Sequence, residues 1–136
     1  MSQQWWVDIT TLGDSRGELA CLEGETLPFD VKRIYYLYAL NVESQRGAHA
    51  HYKTRQLAIC VSGQCTMVMD DGIHQFEYVL DDPARGLLIE PLIWHEMHDF
   101  SSDCVLLVLA DDIYRESDYM RNFAEFKKFI EIEDKG

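Results

Sequence analysis

The chain has the pattern of an all-β domain of sandwich or barrel type followed by one C-terminal α-helix. Three features predict this. From residue 5 to about 110 there are short runs rich in Tyr, Val, Ile, Leu and Phe; turn residues separate those runs; and the hydrophobic period changes in the last segment. The strands have no helical crossovers between them, which argues against a βαβ arrangement.

The expected strands, in order, are Leu19–Leu22, Val31–Leu40, Leu57–Ser62, Cys65–Asp70, Ile73–Leu80, Gly86–Glu90 and Cys104–Ala110. Ser62-Gly63 joins two of them tightly, and Asp70-Asp71-Gly72 is a hairpin signal whose glycine tolerates positive φ. Asp82-Pro83 and Arg85-Gly86 break the chain again. In the tail, Tyr119, Phe123, Phe126 and Ile130 fall at i, i+4, i+7 and i+11, which predicts a helix over about 117–131 packed on the outside of a sheet. Ser117 or Asp118 is placed to cap its start, and Lys127 and Lys128 suit its C-terminal dipole.

The 136 residues make one domain, 1–136, without repeat or linker. A hydrophobic content of 47% argues against disorder. The formal charge of −12 repels phosphate backbones and anionic bilayers, so neither nucleic acid nor membrane is an expected partner. The charge is uneven: residues 1–69 hold six basic and seven acidic side chains, residues 70–136 six and seventeen. An anion site therefore belongs in the near-neutral first half. Neither a leader nor a spanning segment is evident, and the four cysteines form no C-x-x-C pair, so a reduced, cytoplasmic protein is expected.

The densest group of functional side chains is Arg46-Gly47-Ala48-His49-Ala50-His51, followed by Gln56 and Gly63. On an extended segment His49 and His51 share a face. Farther on, Gly86-Leu87-Leu88-Ile89-Glu90-Pro91 leads to Trp94-His95. This pairing resembles the two motifs of the cupin superfamily and implies a cupin-type jelly roll, a double-sheet β-barrel. In metal-binding cupins two His, a Glu and a later His ligate the ion. Here Gln56 stands at the Glu position, and a neutral amide is a poorer ligand for a divalent cation, so no metal is expected.

Without a metal, two adjacent imidazoles point to proton transfer, since histidine titrates near neutrality. Removing a proton next to a carbonyl also needs a donor where the enolate charge develops. Tyr35 is the candidate, because strand parity puts Arg33 and Tyr35 on one face and Ile34, Tyr36 and Tyr38 on the other; parity alone leaves Tyr36 open. Arg16, in the turn Gly13–Gly17, together with Arg33 and Arg46, completes a possible phosphate site.

The blocks Asp14-Ser15-Arg16-Gly17, Val31-Lys32-Arg33-Ile34-Tyr35-Tyr36, Arg46–His51, Asp70-Asp71-Gly72, Trp94–Ser101 and Tyr114–Tyr119 occur in order. Together they resemble the sugar-nucleotide 3,4-ketoisomerases, the WxcM-like branch of the cupins, over essentially the whole chain. The wording and spacing are similar to the enzymes that act on dTDP-4-keto-6-deoxyglucose in 3-amino-sugar synthesis. The resemblance implies metal-independent catalysis without cofactors and a homodimer with swapped N-terminal strands, to which Trp5 and Trp6, expected to be exposed, would contribute. Tyr52 departs from the Lys common in relatives, on the face away from the histidines. The roles expected are His49 as base, Tyr35 and His51 as stabilising and relaying groups, and Arg16, Arg33, Arg46, Gln56 and His95 as substrate contacts. The competing readings are a metal-dependent cupin using His49, His51, Gln56 and His95, a 3,5-epimerase, and a non-catalytic sugar-nucleotide binding cupin.

Overall fold

Alternating burial, rather than strand propensity alone, shapes the architecture of this computed structural model, which describes residues 5–135. The first four residues, on which the expectation of no leader rests, lie outside them. The strands are β1 (Trp6–Asp8), β2 (Thr10–Asp14), β3 (Gly17–Cys21), β4 (Arg33–Leu37), β5 (Arg46–His51) and β6 (Gln56–Ser62). They continue with β7 (Cys65–Asp70), β8 (Gln75–Leu80), β9 (Arg85–Ile89), β10 (Trp94–His98), β11 (Val105–Ala110) and β12 (Tyr119–Met120). Helix α1 (Phe123–Lys135) ends the chain.

Two five-stranded antiparallel sheets form, in the orders β1-β9-β6-β11-β4 and β12-β5-β10-β7-β8, and β2-β3 is a separate ribbon. The main core lies between the sheets. It takes Ala58 and Cys60 from β6 and Leu106 and Val108 from β11. Across from them sit Cys65, Met67 and Met69 from β7 and Met97 from β10. These are every-second residues, as a sheet with one face on a core requires. The tight Ser62-Gly63 turn joins strands of different sheets, carrying the chain across the sandwich instead of closing a hairpin. The Asp70–Gly72 segment does close one: β7 pairs with β8, Gly72 has φ +94°, and its N–H donates to Asp70 Oδ1 at 2.7 Å.

The tail departs from its helical pattern at the start. Tyr119 and Met120 form β12 and pair with His51 and Ala50 of β5, so the sheets extend past residue 110. Asn122, rather than Ser117 or Asp118, caps the helix: its Oδ1 accepts the Glu125 N–H at 3.0 Å. Phe126 and Ile130 then pack with Ala50, Trp94 and Met120 on the outer face of the second sheet. Trp5 is buried and Trp6 half-buried, contrary to their expected exposure; Trp6 packs edge-on against Tyr78 and beneath the Arg85 guanidinium. No helix among the described residues is long and apolar enough to cross a membrane.

Candidate active site

At one end of the sandwich the inward rows turn from apolar to polar: Tyr35 on β4, His49 and His51 on β5, Gln56 on β6 and His95 on β10. Local irregularity aims this row. Gly47 and Ala48 have φ of +83° and +63°, and the β5–β10 register shifts between His95 and Glu96. Two consecutive residues in the left-handed region make a bulge, which redirects His49 toward the interior. A Cβ on Gly47 would lie 3.0 Å from the His95 carbonyl oxygen, so that close approach also calls for glycine.

The three imidazoles form one cluster. Ring centroids are 5.0 Å apart for His49–His51, 4.6 Å for His49–His95 and 6.0 Å for His51–His95. Tyr119 closes one side, 4.8 Å from His49 and 4.4 Å from His51. The ring orientations follow from their outer partners. His51 Nδ1 lies 3.2 Å from Asp118 Oδ2 and His95 Nδ1 3.3 Å from the Ile93 carbonyl. A proton on each Nδ1 satisfies those acceptors and leaves both Nε2 atoms as bases. His51 Nε2 and His49 Nδ1 are buried without a protein partner.

Burial lowers all three histidines. His49 falls from 6.5 to about 4, through desolvation first, then through His51 and the charges of Arg121 and Arg33. Burial also outweighs the raising effect of Asp118 on His51, and His95 lies well below its usual value. The cluster is therefore neutral near pH 7. Asp118 stays ionised although burial opposes it: Thr54 through hydroxyl and N–H, the Lys53 N–H at 2.9 Å and His51 all hold the carboxylate. Burial raises Tyr35, so its phenol remains a proton donor, and Gln56 Nε2 donates to the Tyr35 oxygen at 2.8 Å.

A cavity of about 520 Å³ opens above His49 and Tyr35, with Arg33, Arg46 and Arg121 on its walls. Arg121 is held by Glu116 through Nε and Nη2, both at 2.9 Å, and lies over the Tyr119 ring. Arg33 lies over Tyr35 and Tyr114, and its buried Nε is unpartnered. Three guanidiniums around one opening present the forked donors that suit a phosphate group.

Tyr35, His49, Arg33 and Arg46 line this cavity, while His51, His95 and Gln56 lie buried behind it. Tyr36 points outward and is 60% exposed, which resolves the choice parity left open. Arg16 is not part of this group. It sits at the tip of the β2–β3 ribbon, its side chain 88% exposed and paired with Asp14 at 2.6 Å. Asp118, Tyr119 and Arg121 escaped sequence reading because their spacing fits a helix start. The block Tyr114–Tyr119 signals them, but its chemistry becomes visible only once β12 lies against His51. Arg121 also corrects the expectation that the cationic groups come from the first half alone.

The histidine cluster could hold a divalent ion, since its ligand atoms all lie within 4.8 Å of one another. The set has no carboxylate, however: Gln56 gives its amide to Tyr35, and Asp118 binds the far side of His51. A divalent charge there would lack a carboxylate ligand and would lie near three guanidiniums, of which Glu116 pairs with that of Arg121.

Fold and site together define a cupin-like sandwich with a histidine-lined pocket and a cationic mouth, a layout suited to acid–base chemistry on an anionic substrate. Residues 2–131 match the family described as FdtA: WxcM-like, C-terminal. The chain is 50% identical over 118 residues to the TDP-4-oxo-6-deoxy-alpha-D-glucose-3,4-oxoisomerase of Aneurinibacillus thermoaerophilus, covering 86% of this chain and 85% of that one. Among solved structures, a 3,4-ketoisomerase from Helicobacter canadensis superposes with a TM-score of 0.89 at 38% identity, over 93% of this chain and 96% of that one. A His-to-Asn variant of the 3,4-ketoisomerase QdtA from Thermoanaerobacterium thermosaccharolyticum, in complex with TDP-4-keto-6-deoxyglucose, gives 0.91 at 36%, over 93% of each chain. The chain belongs to the FdtA, WxcM-like family and is a sugar-nucleotide 3,4-ketoisomerase.

Proposed function

We propose that this isomerase moves the carbonyl of dTDP-4-keto-6-deoxyglucose from C4 to C3 by histidine-mediated proton transfer, supplying a 3-keto sugar for amination. The observation that carries the reading is a neutral imidazole, His49, beside a protonated phenol, Tyr35, on the floor of an arginine-walled cavity. The C4 ketone acidifies the C3 proton. His49 takes that proton, and the enediolate spanning C3 and C4 accepts a hydrogen bond from Tyr35. His51, fixed by Asp118, relays protons between the two oxygens. Protonation at C4 leaves the ketone at C3.

A base lowered to about 4 is weak on its own. The diphosphate entering near Arg33 and Arg121 offsets two of the charges that depress it. Holding the sugar through its nucleotide supplies orientation, the larger part of the rate. His95 keeps its Nε2 lone pair toward the cluster and backs the His49 ring from behind the cavity, 4.6 Å away.

The working unit is a homodimer. The outward face of β4 exposes Ile34 and Tyr36, Tyr38 just beyond the strand is exposed as well, and the β2–β3 ribbon exposes Leu12 and Leu19. A two-stranded ribbon is marginal alone, and an apolar sheet face favours burial. Ribbon exchange between two copies covers both and delivers Arg16 to the partner's cavity.

The test is incubation with dTDP-4-keto-6-deoxyglucose in deuterated water, followed by NMR. Deuterium at C4 of a 3-keto product supports the proposal; absence of exchange at both carbons refutes it. The metal-dependent reading rests on the histidine trio. It predicts stoichiometric metal in active protein and activity lost to a chelator, and that result would displace the mechanism above.

A further inference from the structure

A second cluster of reactive side chains lies at the opposite end of the core from the histidines. Cys60, Cys65 and Cys104 are free, at most 2% exposed, and their sulfurs all lie within 4.8 Å of one another. Cys60 and Gln56 occupy inward positions of β6 four residues apart, which separates the clusters by about 13 Å of strand. Three strand ends supply the sulfurs: the end of β6, the start of β7, and the loop leading into β11. The Ser62-Gly63 turn and the 101–103 loop cover them. One buried cysteine is an ordinary small apolar side chain. Three sulfurs converging from separate segments are a ligand set.

We propose that Cys60, Cys65 and Cys104 form a three-sulfur site for a trivalent thiophilic centre of the arsenite class. Spacing supports it first. Bonds of about 2.3 Å from one centre to its sulfurs require them within about 4 Å of one another; Cys60 and Cys104 are 3.8 Å apart, and all three sulfurs lie within 4.8 Å. Charge selects the kind of centre. Met67, Leu80, Phe100 and Leu106 belong to the same apolar cluster, and the charged side chain acting on Cys60 and Cys104 is Asp103, an anion. Three thiolates on a divalent ion would bury a net negative charge beside that carboxylate, which is costly. The trivalent complex is neutral: arsenous acid, As(OH)3, exchanges three As–O bonds for three As–S bonds. The three thiol protons leave with the hydroxides as three waters, and no oxidant or reductant is consumed.

The site is independent of the proposed reaction and is tested without substrate. Reduced protein, freed of reductant, is incubated with sodium arsenite and examined by native intact-mass measurement and arsenic-edge X-ray absorption. The expected result is one arsenic per chain, with a gain of one arsenic less three hydrogens and a shell of three sulfurs. C21S retains this adduct, whereas folded C60S, C65S and C104S lose the three-sulfur shell. If a serine variant does not fold, the absorption spectrum of the natural protein decides alone. Arsenic with oxygen neighbours or fewer than three sulfurs overturns the proposal. So does a full sulfur shell surviving in folded C60S, or a three-thiolate cadmium complex formed by protein that refuses arsenite.

Discussion

Replacing Asp118 with asparagine removes one negative charge behind His51 and leaves the residue's shape intact. The carboxylate accepts from the Lys53 N–H, the Thr54 N–H and hydroxyl, and His51 Nδ1. An asparagine amide has one oxygen to serve both sides. If the oxygen faces His51 and Thr54, its NH2 group opposes the Lys53 N–H; if it flips, the NH2 opposes His51 Nδ1–H. A hydrogen bond to a charged group contributes about 1.5–3 kcal/mol, and most of that is lost. Because Asp118 acts through the orientation of His51 and not through substrate, the loss falls on turnover. Asp118→Asn is expected to lower kcat by roughly 10- to 150-fold with KM nearly unchanged. The charge also raises His51, so its removal moves the acid limb contributed by His51 to lower pH. Steady-state kinetics against pH, with circular dichroism to confirm folding, provides the measurement. A kcat within threefold of the natural protein, or a defect confined to KM, would refute the coupling.

The remaining predictions concern titration, anion binding and the bulge. His49 is neutral and depressed in the folded state, so the unfolded chain takes up its proton first as pH falls below 6.5. Stability should therefore decline from about pH 6.5 toward 4, with roughly 3 kcal/mol attached to this group; denaturant titrations in which His49→Asn shows the same pH slope would contradict it. Arg33→Ala or Arg121→Ala should raise KM at least tenfold, whereas Lys127→Ala, on the outer helix, should leave it unchanged; equal effects would misplace the diphosphate. Gly47→Ala brings a Cβ within 3.0 Å of the His95 carbonyl oxygen at a φ of +83°, and should cost about 1–3 kcal/mol in stability as well as lowering kcat. An unchanged melting temperature would mean that β10 yields freely.

The periodicities were legible in the sequence because they report local rules. Runs rich in aliphatic and aromatic residues between turn signals marked β6, β7, β8, β9 and β11 within a residue or two, and the Asp70–Gly72 turn carries its own chemistry. The site strands β5 and β10 are less apolar, and the sequence marks them by their histidines rather than as strands. Tyr119 shows why local pattern failed at the tail: its spacing to Phe123 fits a helix, yet pairing with His51 wins. Trp5 and Trp6 escape local pattern for a related reason, since burial of a terminal strand depends on β9, some eighty residues away.

Sequence alone determined the all-β class, the paired His49 and His51, the inward face shared by Arg33 and Tyr35, and the family resemblance. Each is a property of neighbours along the chain, or of blocks preserved in order. Tertiary structure decided that His95 completes the imidazole cluster, that Asp118 orients His51, and that Arg121 from the acidic half joins Arg33 and Arg46. It also set Arg16 apart on an exposed ribbon and drew three cysteines together at the far end of the core. These depend on register between strands distant in sequence, which no local periodicity encodes. The charge imbalance changes meaning in the same way: −12 describes the whole chain, while folding brings three guanidiniums around one cavity.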